Sequence, residues 1–135
     1  MDKLYLDTNF LLDLTVKGRP GSASAAELFD MVADGKILAV VSSSSLKDFY
    51  CIARRDMEES LRRDWITLFL DTFDIAALDW QTCRAAVGSD EPDYEDALML
   101  ESARREECSY IVSRDEAAFL SSPIPKVTAS EYLGR

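Results

Sequence analysis

Asp7, Asp48, Asp93, Asp96 and Asp115 are the residues of this 135-residue chain whose types and placing could do chemistry. Asp7 closes the apolar run Leu4-Tyr5-Leu6 and is followed by Thr8 and Asn9. Asp115 repeats that arrangement, since Ser109 to Val112 reads as a buried strand and Ser113-Arg114-Asp115 as the polar turn that leaves it. Asp93 and Asp96 head the stretch DYEDALMLESARREE, a helix from Asp93 to Glu107. On it Asp93, Asp96, Ala97, Leu100 and Ala103 share one face, so a stripe that packs into a core begins with two carboxylates. Buried acids without a partner are costly, and acids heading an apolar stripe argue for a bound cation. Each acid also has a plainer reading. Asp7 can be a turn acid, Asp93 a helix cap resembling half of a capping box, and Asp48 a first-turn acid favoured by the helix dipole.

The chain has no histidine, which removes the usual general base, His-containing zinc sites and Ser-His or Cys-His catalysis. Catalysis must then come from carboxylates. Like charges gathered at one place stay ionised only if a multivalent cation compensates them. Ligation by oxygen alone, without His or Cys, selects Mg²⁺ or Mn²⁺. The reaction such a site performs best is in-line attack of water on a phosphodiester, with the cation stabilising the attacking and leaving oxygens.

The elements that must position these acids are legible as a repeating pattern. Leu4 to Leu6 is a strand of the buried, parallel kind, and Thr8 or Asn9 can cap the helix that Phe10, Leu11, Leu12 and Leu14 begin, leaving Asp7 free of that task. The turn Lys17 to Ser22 leads to a second helix, capped by Ser22 or Ser24 and ending near Asp34, with Ala26, Phe29, Met31 and Val32 as its apolar side and Gly35 just past its end. Ile37 to Val41 is the second strand, and the connection makes a right-handed βαβ unit that puts its end on the same edge as Asp7. Ser42 to Ser45 is a loop or a set of helix caps, before a helix carrying Leu46, Phe49, Tyr50 and Ala53 inward and Asp48 one turn in. A further helix runs to about Asp71, Ile75 to Leu78 is a weak strand, Trp80 to Val87 a short helix, and Lys126 to Thr128 a last strand before a brief helix opened by Thr128 or Ser130. The expectation is one α/β domain, residues 1 to 135, in three α/β/α layers around a parallel sheet of four or five strands.

With these motifs in view, the chain resembles the PIN-domain ribonucleases, and within them the single-domain VapC-like toxins of toxin-antitoxin pairs. The LDTN opening with Asp7, the DYEDAL helix start with Asp96 and the IVSRD strand exit with Asp115 look like the family's first, third and fourth acidic motifs. SSSSLKDFY places Asp48 where the second motif usually has glutamate, as in a branch of the family with aspartate there. The frequent Asp-Phe after the fourth motif is Ala118-Phe119 here. The resemblance implies an endoribonuclease dependent on Mg²⁺ or Mn²⁺, with Asp7, Asp48, Asp96 and Asp115 catalytic and Asp7, Asp96 and Asp115 at the metal; Asp93 joins them as a candidate ligand from the helix face that it shares with Asp96. It also implies a homodimer and an antitoxin protein whose C-terminal segment fills the acidic groove.

With 15 basic and 25 acidic residues the net charge is -10, so diffuse attraction to RNA is not available and binding must rest on the cation and a few local side chains. Arg114, beside Asp115, is the main candidate, with Ser113 and Asn9; Arg54, Arg55, Arg62 and Arg63 form a second basic group among acids. Cys51, Cys83 and Cys108 are isolated, which fits buried free thiols and a cytoplasmic setting, and no apolar stretch is long enough for a membrane. Two other classes compete: a PIN scaffold that binds RNA or a partner without cutting, and a phospho-acceptor receiver domain. A receiver needs a late lysine, for which Lys126 stands, but also a pair of acids after the first strand, which Asp7 lacks.

Overall fold

Strands β1 (Lys3–Leu6), β2 (Leu38–Ser42), β3 (Asp74–Ala76), β4 (Tyr110–Val112) and β5 (Lys126–Val127) form one sheet in the order β3-β2-β1-β4-β5, with every pair parallel. The computed structural model describes residues Met1–Arg135. Strand β1 is central because Leu4, Tyr5 and Leu6 are wholly buried, and a strand covered on both faces needs apolar side chains on both. Burying each leucine contributes about 1.5–3 kcal/mol over leaving it exposed.

The helices are α1 (Thr8–Thr15), α2 (Ser22–Ala33), α3 (Ser43–Ile52), α4 (Glu59–Thr72), α5 (Trp80–Val87), α6 (Tyr94–Arg105) and α7 (Ala129–Leu133). Leu4 and Leu6 pack with residues of α1, α2, α3, α4 and α7 on one face. Tyr5, pointing the other way, packs with Leu100 and Ala103 of α6. The alternation along β1 thus divides the core in two, and the result is the expected three-layer arrangement. Edge contacts between Phe49 and Phe69, with centroids 5.2 Å apart, and between Phe29 and Phe73 at 5.7 Å join α2, α3 and α4.

Several expectations about the elements are corrected. Of the two readings of Ser42 to Ser45 the loop falls and the helix cap holds: Ser42 ends β2 and caps α3, accepting the Ser45 N–H at 3.0 Å. Helix α2 starts at Ser22 with Gly21 at the cap position and no side-chain cap, and it buries Ala25, Leu28 and Val32; of the expected apolar side Val32, Phe29 and Met31 do meet the core, while Ala26 is exposed. Strand β3 stops at Ala76 because Asp79 turns the chain into α5, accepting the Thr82 N–H at 2.9 Å. Of the cysteines only Cys108 is buried, while Cys51 is exposed. Gly35 has φ +74, the left-handed conformation expected of a glycine after a helix.

The strand order also removes the receiver alternative. A receiver-type doubly wound sheet has the order 2-1-3-4-5, with the third strand between the first and the fourth. Here β3 lies at the far edge beyond β2. Lys126 is occupied as well, its Nζ donating to the carbonyl oxygens of Asp115 and Ala118. No helix is long and apolar enough to cross a membrane.

Candidate functional site

Because all five strands are parallel, their carboxyl ends open on one edge, where the loops leave a crevice. Asp7 and Asp115 leave the adjacent strands β1 and β4 on that edge. Asp7 is the N-cap of α1, accepting the Phe10 N–H at 2.9 Å, which corrects the expectation that Thr8 or Asn9 would do so. The reason is local: helical backbone begins at Thr8, so the residue still extended before it holds the capping position. Thr8 donates its hydroxyl to Ser45 at 3.1 Å, tying the exit of β1 to that of β2. Only 7% of Asp7 is exposed, and burial raises its pKa against the opposing pull of the Phe10 N–H, Ser113 and Arg114.

Asp96 lies half-buried in the first turn of α6. Burial first, and then the charges of Asp93, Asp115, Glu91 and Glu95, push its pKa up to about 6. The other acids have structural tasks. Asp93 caps α6 by accepting the Asp96 N–H at 3.0 Å, so its plainer reading holds. Asp115 accepts the Ala117 N–H at 3.0 Å and donates its own N–H to Ser113 Oγ at 3.1 Å. Asp48 pairs with the neighbouring Lys47 at 2.7 Å on a half-exposed part of α3.

Two clefts flank the exit of β1. One, of about 310 Å³, holds Asp48 and Asp96 together with Thr8, Ser45, Lys47 and Tyr94. The other, of about 330 Å³, holds Asp7, Asn9, Asp13, Ser113 and Arg114. Asp115 lines a third hollow, of about 300 Å³, with Ser113, Arg114 and Lys126, and is near enough to Asp96 to oppose its ionisation. The structure therefore brings the expected acids to one edge but distributes them over neighbouring hollows.

Arg114, expected to point at substrate, grips Asp13 through two 2.7 Å hydrogen bonds. Asp13 also accepts Arg19 Nε at 2.8 Å, and Arg19 Nη2 donates to Asn9 at 3.3 Å. Asp13 was not among the residues singled out from the sequence, although an acid inside the run Phe10-Leu11-Leu12-Asp13-Leu14 was the available signal. Burial works to raise its pKa, yet the two arginines outweigh burial and hold it below the usual carboxylate range. Ser45, buried between the Thr8 and Ser42 hydroxyls, was likewise hidden in a serine run.

The PIN-domain family model matches residues 3–117. The chain belongs to the PIN-domain family. No curated protein matches it. Among solved structures this PIN domain is similar to VapC20 of Mycobacterium tuberculosis, described as a sarcin-ricin loop cleaving toxin, at 16% identity and a TM-score of 0.73, covering 93% of this chain and 98% of that one. It is also similar to VapBC2 from Rickettsia felis bound to a promoter DNA fragment, at 15% identity and a TM-score of 0.68 over 93% and 98% of the two chains. A toxin-antitoxin complex from Klebsiella pneumoniae gives 19% and 0.68 over 93% and 97%. At these identities the likeness is one of fold.

The donor set of this PIN domain suits a hard divalent cation in chemistry: carboxylate oxygens, two of them with pKa values raised by burial. In geometry it is not yet assembled, for no three acidic or thiol side chains converge on one cation position.

Proposed function

We propose that this PIN domain is an endoribonuclease of the VapC-like toxin type, dependent on Mg²⁺ or Mn²⁺. The observation that carries the reading is Asp96, an acid at the strand-exit edge with a pKa pushed up to about 6 by burial and by surrounding carboxylates. Asp7, Asp96 and Asp115 would hold the cation, with Asp93 beside it and Asp48 as the further catalytic acid. Bound there, a divalent cation supplies charge compensation and polarises the phosphodiester. The chain's own part is to fix Asp7 through the Phe10 N–H, to hold the Asp115 loop through Ser113 and Lys126, and to meet the RNA with Arg114, Ser113 and Asn9. An antitoxin protein and a second copy of the chain are the partners this reading names, in the cytoplasm. Leu61 and Leu68, exposed two turns apart on α4, offer apolar surface for association.

A non-catalytic RNA-binding scaffold is the second reading, favoured by the lack of three converging acids. Incubating the purified chain with single-stranded RNA separates them. The ribonuclease reading expects cleavage with Mg²⁺ or Mn²⁺, none with EDTA and none for Asp96→Asn. RNA that is bound but left whole in every cation tested would establish the scaffold.

A further inference from the structure

We propose that Arg19 and Arg114, aimed by the buried carboxylate of Asp13, form a phosphate subsite beside Asp7 that holds a backbone phosphate of single-stranded RNA next to the one being cut. The inference rests on the ribonuclease reading and deepens it by adding Arg19 as a binding residue and Asp13 as a positioning residue.

Asp13 is 4% exposed and stands in the apolar run of α1. A carboxylate there needs a partner, and one bidentate arginine would suffice to neutralise it. Two arginines face the one carboxylate of Asp13, so that group carries one net positive charge beside Asp7, whose own carboxylate the proposed cation would compensate, within a chain of net charge -10. The surplus cation is the local basic feature that an acidic RNA-binding protein requires.

Donor accounting points the same way. A guanidinium has five N–H donors. Arg114 spends Nε and Nη2 on Asp13, and Arg19 spends Nε on Asp13 and Nη2 on Asn9. Both Nη1 groups are left over, on side chains 38% and 25% exposed. Arg114 lines the 330 Å³ cleft that also holds Asp7, Ser113, Ser24 and Ser130, so hydroxyl donors stand near the charge. Asp7 and Arg114 line the same cleft, which places the subsite beside the proposed cleavage site. Gly21 forms part of the wall: a Cβ there would lie 2.3 Å from Asp13 Oδ2 and 3.2 Å from Arg114 Nε. The approach of this backbone leaves no slack in how Asp13 and Arg114 face each other.

The test measures binding of a fluorescently labelled single-stranded RNA by anisotropy between 50 and 200 mM salt, in Mg²⁺, with Asp96→Asn as the parent so that the RNA stays whole. Each lost phosphate contact reduces the slope of log K against log salt by about 0.7 for a single strand. Arg19→Ala, a loop substitution that leaves Asp13 its two bonds from Arg114, should show that reduction while the protein stays folded at the assay temperature. Asp13→Asn removes a negative charge, so a general electrostatic effect would tighten binding, whereas loss of the aiming carboxylate should weaken it severalfold. An Arg19→Ala protein with the parent's slope and affinity overturns the proposal, as does a folded Asp13→Asn protein that binds more tightly. If Asp13→Asn does not fold, Arg19→Ala decides alone. Failure of the wild-type chain to cut RNA, with the Arg19→Ala slope change intact, would defeat the ribonuclease reading and leave the subsite standing.

Discussion

Asp7 accepts the Phe10 N–H at 2.9 Å while lying almost wholly buried at the edge where the acids gather, so one carboxylate both starts α1 and belongs to the candidate site. The two roles separate by substitution. Asparagine keeps the capping acceptor and removes the buried charge; alanine removes both. Asp7→Asn should therefore be at least as stable as the parent without divalent cations, and Asp7→Ala less stable than Asp7→Asn by about 1 kcal/mol. Urea unfolding of the three proteins checks this, and equal stability of the two mutants would show that the cap contributes nothing.

Asp96 gives a pH dependence with a definite sign. Its pKa in the fold is about 6, above the roughly 3.9 of an unfolded aspartate. The fold thus prefers the protonated acid, and ionisation destabilises it progressively from about pH 4 to about pH 6, with no further change above. Asp96→Asn removes that destabilisation. The melting-temperature difference between mutant and parent, measured in EDTA, should grow across this window and then level off. A difference that ignores pH would mean that neither burial nor the surrounding carboxylates oppose the ionisation of Asp96.

The same acid links cation binding to protons, because a ligand must be deprotonated to coordinate. Mn²⁺ affinity should rise between pH 5 and 7, with proton release on binding near pH 6. Calorimetry in two buffers of different ionisation heat measures the protons released. Binding without release at pH 6 would remove Asp96 from the ligand set.

Glu107 follows α6 with φ 56, a left-handed conformation that L residues adopt at a cost. Its neighbours close the helix end, Cys108 N–H reaching Ala103 O at 3.0 Å. Glu107→Gly should stabilise the protein by about 0.5–1 kcal/mol, glycine's larger unfolded freedom offsetting part of the relief. Thermal unfolding of the exposed-site variant gives the answer, and a loss of stability would contradict the strain.

The parallel sheet was legible because continuous apolar runs such as Leu4-Tyr5-Leu6 ending in polar residues carry a strand, its burial and its exit together. PIN-domain membership followed from the order of those exits. Which acid spends an oxygen on the backbone was not legible. Asp7, Thr8 and Asn9 can all cap a helix, and only the point where extended backbone becomes helical chooses among them. Asp13 was overlooked for a related reason: an acid in an apolar run reads as the polar side of a helix until Arg19 and Arg114, distant in sequence, are seen to meet it. Arg114 itself was placed at the right edge, but its partner could not be read from neighbouring residues.

Strand β1 lies between β2 and β4, so the first strand of the chain gains its second neighbour only when residues near 110 arrive. Lys3 N–H donates to Ser109 Oγ across 106 positions, and Tyr132 Oη donates to Asp2 at 2.7 Å. Such pairings are slow to form, and on a ribosome they wait for residues 109 to 132 to emerge. Asp7 and Asp115 can meet only in that final step. A nascent chain would therefore carry a half-built sheet and no assembled acidic edge until residues 109 to 132 have emerged, which delays any activity of that edge to that point.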